Sequence, residues 1–303
     1  MRNKFYMLIG PPASGKSTLV REMQIKYGYT VISSDAIRKQ LYRDENIQGN
    51  PKEVFDVVRK DIVQATQDGK NVVYDATNMS RKNRRGILSN INTNTEKIAM
   101  IVWTSLFECY VRDKDRWRTV GGDVIDNMVG KFQYPYYDEG FDKIEWTTTK
   151  DLSDENGYVS DLHKDIWSVA KIIKQDNSHH SLTVGEHCYR VGKELAIKYP
   201  NDKELIIAGY NHDIGKIFTK SFCDYKGRET KKAHYYGHPG YSTWFYMPLI
   251  WSDRLANNYD CDKILWLISN HMEPYMNTKY YKNLPPELKA ELDLLHEADE
   301  NAK

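Results

Sequence analysis

Residues 10–17 read Gly10-Pro11-Pro12-Ala13-Ser14-Gly15-Lys16-Ser17, and Thr18 follows. This is the pattern G-x-x-x-x-G-K-[ST]. An apolar run at 5–9 precedes it, and a helix-like run begins near Thr18. Strand, glycine loop and helix, in that order, are the setting in which the pattern cradles phosphate. The glycines let backbone N–H groups turn inward. Lys16 would reach the β- and γ-phosphates of a nucleoside triphosphate, and Ser17 would hold Mg²⁺. The alternative is an ordinary glycine turn, and the flanking strand and helix weigh against it.

The chain downstream alternates in the same sense. Residues 27–33 read as a second strand that ends in Ser34-Asp35, followed by the helical AIRKQLY. Asp35 therefore sits at the carboxyl edge of a strand, where open α/β sheets bind ligands, and could take a proton from an attacking hydroxyl. It could equally do no more than cap a helix beginning at Ala36. Arg38 lies one turn on, on the same side. Residues 52–68 carry apolar side chains at helical spacing, 71–74 form a short strand, and Asp75-Ala76-Thr77-Asn78 follows it. The next helix opens with Arg81, Lys82, Arg84 and Arg85, which either face a phosphate or form a solvated basic face. Residues 98–103 give a fourth strand. The helix at 107–118 bears Arg112, Arg116 and Arg118, as a phosphate-closing lid would, or as a surface paired with Asp113 and Asp115 would. Such alternation builds a parallel sheet with helices on both faces.

Here the residues resemble a known family. GPPASGKS, Asp35-x-x-Arg38, the DATN run at 75–78 and an arginine-rich lid before Gly-Asp-Val are similar to the kinase half of the phage polynucleotide kinase-phosphatase family. The resemblance covers residues 5 to about 145. It implies an α/β P-loop kinase domain that uses ATP or another NTP with Mg²⁺. By the same resemblance, Gly10, Pro11, Ala13, Ser14, Gly15, Lys16, Ser17 and Thr18 bind the NTP. Asp35 is the general base toward a 5′-hydroxyl end. Arg38 contacts the acceptor's phosphate, and Thr77 and Asn78 lie near the acceptor. Arg116 contacts the donor phosphates, with Arg112 and Arg118 as rivals for that role.

Length and composition leave room for a second domain. The 303 residues are 40% hydrophobic and 28% charged, values of a folded chain rather than a disordered one. Residues 1–150 hold 24 Lys and Arg against 19 Asp and Glu, a net +5, and residues 151–303 hold 19 against 23, a net −4. A basic first half suits an anionic ligand. Four scattered cysteines, no membrane-spanning run and no secretory signal point to a cytoplasmic protein with reduced thiols. The polar stretch 147–157 reads as a linker between domains at 1–150 and 151–303.

Beyond it strand-like runs vanish, and helical periods appear at 166–173, 184–199, 203–212, 244–255 and 263–270. Histidines recur there: His187, an adjacent His212-Asp213 in NHDIGK, His238, and His271 at a helix end, with Asp299 late in the chain. Single histidines in a helical domain are ordinarily structural. Imidazoles and carboxylates in this number, without cysteine, suit a divalent metal that activates water. The order resembles the HD metal-dependent phosphohydrolase superfamily, from about residue 161 onward. The resemblance implies an all-α HD domain. In it His187, His212, Asp213 and Asp299 hold one ion (Mn²⁺, Ni²⁺, Co²⁺, Fe²⁺ or Zn²⁺), and His238 and His271 help hold a second. Lys216 contacts substrate phosphate, and His180, in the same loop as His187, contacts the substrate.

Together the two resemblances imply an end-healing enzyme. It would add phosphate to 5′-hydroxyl ends of RNA or DNA and remove it from 3′, 2′ or 2′,3′-cyclic ends, in functional partnership with a ligase. Its place would be the cytoplasm, the host's if the chain is phage-encoded. The alternative is a nucleoside or nucleotide kinase fused to an HD nucleotidase that acts on small nucleotides.

Overall fold

The computed structural model describes residues 2–44, 49–148, 158–177 and 181–302, with backbone alone at 158–163 and 251–257. Two compact units partition the chain: Met1–Asp126 with Pro135–Asp151, and Asn127–Tyr134 with Leu152–Lys303. The expected boundary at 150/151 lies outside the described residues, as does most of the expected linker, whose first two residues end a strand.

The first unit runs β1 (Asn3–Ile9), α1 (Lys16–Tyr27), β2 (Thr30–Ser33), α2 (Ser34–Tyr42), α3 (Pro51–Gln67), β3 (Val72–Asp75), α4 (Arg81–Leu88), β4 (Thr95–Trp103), α5 (Leu106–Lys114), the start of α6 (Gly122–Gly130), and β5 (Lys143–Thr148). Its five strands form one parallel sheet in the order β2-β3-β1-β4-β5. Phe5, Met7, Leu8 and Ile9 of β1, Val72 to Tyr74 of β3, and Ile98, Ala99, Ile101 and Val102 of β4 are fully buried. Strands covered on both faces read as such near-continuous apolar runs. β2 is shorter than the run at 27–33, because α1 continues to Tyr27. The chain leaves β3 on one side of β1 and returns as β4 on the other, so β1 and β3 flank the point where strand order reverses. Ligands of open α/β sheets bind at the carboxyl edge there.

The second unit is helical: α7 (Tyr158–Ala170), α8 (Val184–Lys198), α9 (Lys203–Asn211), α10 (Lys216–Thr219), α11 (His238–Asn257), α12 (Cys261–Asn270), α13 (Glu273–Met276), α14 (Lys279–Lys282) and α15 (Pro286–Asn301). One antiparallel hairpin, β6 (Ser221–Cys223) with β7 (Glu229–His234), interrupts the helices. Trp244, Trp266, Leu195, Leu267 and Leu292 are among its buried apolar side chains, and Phe132 meets Trp244 edge-on with ring centroids 5.1 Å apart. Among the described residues no helix is long and apolar enough to cross a membrane, and no disulfide forms.

Candidate active sites

The loop after β1 is built for close approach. A Cβ at Gly10 would lie 2.8 Å from the Val102 carbonyl oxygen, so only glycine lets the loop pass the end of β4. Gly15 caps α1 at φ 100°, a left-handed conformation that a side chain would strain. Gly10 N–H donates to Thr77 O at 3.0 Å, and Thr104 Oγ1 donates to Ser14 O at 2.8 Å. Lys16 folds back over this loop and gives its ammonium to Gly10 O (2.9 Å) and Pro11 O (2.6 Å). Burial pushes Lys16 down to about 8, against the opposing pull of Asp75 and Asp35. Ser17 and Thr18 are exposed on the first turn of α1, their hydroxyls open to a ligand.

Asp35 is not the helix cap. Ser33 is, accepting from Ala36 N–H at 3.4 Å, and Asp35 falls within the first turn of α2. Arg38 Nη1 donates to Asp35 Oδ1 at 2.6 Å, as the three-residue spacing allows. Ser33 is in register with Asp75, which sets Asp35 and Asp75 on neighbouring strand ends. Asp75 was not singled out from the sequence. It lies at the end of the strand next to β1, and burial raises its carboxyl pKa while Lys16 opposes the rise. In P-loop enzymes a strand-end aspartate near the loop shares the Mg²⁺ with the loop hydroxyl, and Asp75 is the carboxylate in that position.

Thr77 accepts from the loop through its backbone carbonyl, and the buried Asn78 side chain reaches β1. Asn78, at φ 48°, donates its amide to Leu8 O at 2.8 Å, and its carbonyl accepts from Arg84 Nη1 at 3.0 Å. Arg84 itself is fully buried and forms a two-pronged ion pair with Glu139, at 2.8 and 2.6 Å. Neither reading of the basic helix start holds for Arg84: it faces inward, where it clamps the turn after β3. Of the lid arginines, Arg112 is paired with Glu108 at 3.0 Å. Arg116 stands 3.8 Å from Asp113 with its side chain 43% exposed, and its charge acts on both Lys16 and Asp75. Arg118 is half-buried.

In the second unit six side chains from five places in the chain converge. His187 stands on α8, behind a Thr183–Glu186 capping box. His212 and Asp213 follow α9, His238 opens α11, His271 ends α12, and Asp299 lies on α15. All are at most 6% exposed. His187 Nε2 lies 2.8 Å from Asp299 Oδ1, 3.3 Å from His212 Nε2 and 3.4 Å from Asp213 Oδ2. On the other side of the same carboxylate, Asp213 Oδ1 lies 3.1 Å from His238 Nε2 and 3.4 Å from His271 Nε2. Two ligand groups therefore share Asp213: His187, His212, Asp213 and Asp299, and Asp213, His238 and His271.

Gly215 makes this meeting feasible. A Cβ there would lie 2.3 Å from His238 O, so the turn after Asp213 can press on the start of α11 only without one. Neighbouring groups hold the cluster in place. Tyr275 Oη donates to Asp299 Oδ2 at 2.9 Å. Lys216 Nζ lies 2.5 Å from Asp213 Oδ2 and donates to Gln175 Oε1 at 2.9 Å. Lys216 is 7% exposed, so in this state it orients Asp213. Tyr275 and Gln175 carry no motif that the sequence could have shown. His180 lies outside the described residues.

The donors fit divalent cations. His238 and His271 each give Nδ1–H to a carbonyl, Tyr235 O at 2.7 Å and Ile268 O at 2.8 Å. Their Nε2 atoms face each other across 3.0 Å, each also within reach of Asp213 Oδ1. Burial pushes His271 down to about 4, against the pull of Asp213, which keeps it neutral. Burial also opposes ionisation of Asp213, but Lys216 and His212 outweigh it and hold the carboxyl well below the usual range. A neutral His271 beside an ionised Asp213 is the ligand state a cation requires; burial pulls His187 down, but Asp213 and Asp299 outweigh it and raise it to about 9, so a cation bound there would displace its proton.

Comparison with known proteins agrees with this division. Residues 5–135 match a family model described as an AAA domain, and residues 177–300 match one described as an HD domain. The first unit thus has a parallel α/β P-loop fold that is kinase-like, and the helical region that follows matches the HD domain model. No curated protein matches at a significant level. Among solved structures, the Pnkp1/Rnl/Hen1 RNA repair complex is similar at 20% identity, TM-score 0.40, over 46% of this chain and 46% of that one. This chain thus spans less than half of that relative's length. A fungal RNA kinase is similar at 17% identity, TM-score 0.37, over 56% and 85%. A gluconokinase from Sinorhizobium meliloti 1021 is similar at 15% identity, TM-score 0.36, over 50% and 87%.

Proposed function

We propose that this chain is a bifunctional enzyme that heals nucleic-acid ends, an NTP-dependent kinase of 5′-hydroxyl ends joined to a metal-dependent phosphohydrolase of 3′, 2′ or 2′,3′-cyclic phosphate ends. The observation that carries the hydrolase half is the double engagement of Asp213, with Oδ2 facing one histidine pair and Oδ1 the other. His187, His212, Asp213 and Asp299 would hold one cation and Asp213, His238 and His271 a second, and cations held there would supply a hydroxide at neutral pH and offset charge on phosphate oxygens. The chain's own part is to keep Asp213 ionised through Lys216, to orient His212, His238 and His271 through the carbonyls of Gly209, Tyr235 and Ile268, and to fix Asp299 through Tyr275.

The kinase half rests on the carboxyl edge of the sheet. Lys16 moves from the loop carbonyls onto the donor phosphates. Ser17 and Asp75 hold Mg²⁺. Asp35 takes the proton of the acceptor hydroxyl, and Arg38 holds Asp35 in position while presenting its remaining N–H groups to the acceptor's phosphate. Arg116 spreads charge over the transferred group. Thr77 and Asn78 shape the acceptor side through their ties to the loop and to β1.

The test follows labelled γ-phosphate into a 5′-hydroxyl oligonucleotide and, separately, into free nucleosides and nucleotides. Phosphate release from 3′-phosphorylated oligonucleotides, and ring opening or phosphate release with 2′,3′-cyclic ones, are followed in the presence of Mn²⁺. Preference for oligonucleotides in both assays supports end healing. Preference for mononucleotides in both replaces it with nucleotide-pool chemistry.

A further inference from the structure

The hairpin β6–β7 is inserted between Asp213 and His238, two members of the metal-ligand cluster. Residues 220–236 carry five Lys and Arg against two Asp and Glu, inside a half of the chain that is net −4. The same stretch exposes aromatic rings: Phe222 at 47%, Tyr225 at 74% and Tyr236 at 53%. Cations sit on them, Lys226 Nζ 5.4 Å from the Tyr225 ring and Lys220 Nζ 5.7 Å from the Phe222 ring. The Tyr236 ring stacks flat on His234, with centroids 5.4 Å apart and planes 6° apart.

The hairpin is held rigid. Asp224 accepts from the backbone N–H of Lys226 (2.8 Å) and Arg228 (3.0 Å), which fixes the turn. Its base is tied to the cluster. Tyr235 O takes the Nδ1 proton of His238, and the Tyr235 hydroxyl donates to Gln175 O. Gln175 in turn binds Lys216, the partner of Asp213. The base of the hairpin is thus linked to the metal-ligand cluster through Tyr235 and Gln175.

We propose that this hairpin is a binding platform for single-stranded nucleic acid, which carries a 3′ end toward the cluster. The occupant follows from the chemistry. Lys226 and Lys231 would track phosphates, while Tyr225 and Tyr236 offer ring faces to unpaired bases. Lysines interleaved with exposed aromatics are how single strands are held without sequence preference. An acidic protein or an anionic membrane would meet the same charges, but only a single strand offers both a phosphate for each cation and a flat base for each ring along one backbone. The proposal deepens the hydrolase reading and rests on it for the identity of the bound end.

The experiment uses the full chain loaded with Mn²⁺ and a fluorescent single-stranded 12-nucleotide RNA phosphorylated at both ends, which blunts capture by the kinase site. Anisotropy is read across a salt series for the wild type, for Lys226→Glu/Lys231→Glu and for Tyr225→Ala/Tyr236→Ala. Hydrolysis of bis(p-nitrophenyl) phosphate reports the metal centre independently. The charge variant should bind on the order of tenfold more weakly and lose about 0.7 from the salt slope per phosphate contact removed. The aromatic variant should weaken binding by about fivefold or more. KM for the RNA should rise in both, with turnover of the small ester within about twofold of wild type.

Unchanged RNA binding in both variants overturns the platform. So does loss of small-ester turnover in parallel with RNA binding, which would make the hairpin a support of the metal site. Weakening by the charge variant alone overturns the single-strand assignment and leaves a general anion surface. Wild-type protein that binds the RNA through the hairpin but leaves its 3′-phosphate intact refutes the hydrolase substrate, and not the platform.

Discussion

His238 and His271 face each other Nε2 to Nε2 across 3.0 Å, each with its Nδ1 proton given to a carbonyl three residues earlier. Both nitrogens also lie within 3.4 Å of Asp213 Oδ1, and the three side chains form one of the two ligand groups. The contact carries a stoichiometric consequence. Wild-type protein loaded with Mn²⁺ and desalted should retain about two ions per chain. His271→Ala should retain about one, because it removes a ligand from only one of the two groups. Asp213→Ala should retain none, because both groups share that carboxylate. Metal analysis beside circular dichroism reads all three, and equal retention in His271→Ala and wild type would place the second ion elsewhere.

Lys16→Ala and Asp35→Asn should each lower phosphoryl transfer by about 10²-fold or more, the usual share of a charge stabiliser on the phosphates and of a positioned proton acceptor respectively. Metal-dependent hydrolysis should be unaffected by either. Arg38→Lys should raise KM for the acceptor on the order of tenfold and leave KM for NTP in place, since a lysine cannot hold Asp35 and a phosphate with one planar fork. An active Asp35→Asn protein would remove Asp35 as the base.

Nucleotide affinity should depend on pH through Lys16. Burial holds its ammonium at about 8 in the free protein, and bound phosphates favour the charged form and raise it. The linked stabilisation is therefore full below pH 8 and is lost as pH rises above it, by about tenfold in Kd per unit until the bound-state value is reached. Calorimetric titration of ATP between pH 7 and 9.5 reads this directly. A flat profile across that range would mean that Lys16 does not carry the phosphate contact.

Arg84→Ala should destabilise the first unit by about 3–5 kcal/mol, because it leaves the Glu139 carboxylate buried without its partner. Arg84→Met paired with Glu139→Leu should recover much of that loss. Because Arg84 also holds the Asn78 carbonyl, the recovered protein should fold but show a raised KM for the acceptor. Chemical denaturation gives the first two numbers and kinase kinetics the third.

What the sequence made legible is what backbone geometry or spacing dictates locally. The loop at 10–17 is readable because its glycines and lysine answer specific backbone and phosphate demands. Arg38 meets Asp35 because three residues make one turn. The histidines and aspartates were readable by type and order, and they converge. Long-range partners were not readable. Asp75 is important because β3 lies beside β1, and strand order is not encoded in the DATN run itself. Arg84 looked like a surface or phosphate-facing cation because its burial depends on Glu139, 55 residues away. The hairpin is too short and too rich in lysine to show a period of two, so the helical reading had no element for it.

The central claim is that one chain prepares both ends of a broken strand at two separate sites. It is tested most directly on one substrate, an RNA with a 5′-hydroxyl and a 2′,3′-cyclic phosphate, incubated with ATP, Mg²⁺ and Mn²⁺ and resolved by mass spectrometry. Wild-type protein should add a phosphate at the 5′ end and open or remove the phosphate at the other end. Lys16→Ala should fail only at the 5′ end, and His212→Ala only at the other. An RNA left unmodified at both ends by a protein that phosphorylates free nucleosides and hydrolyses free nucleotides would contradict the account.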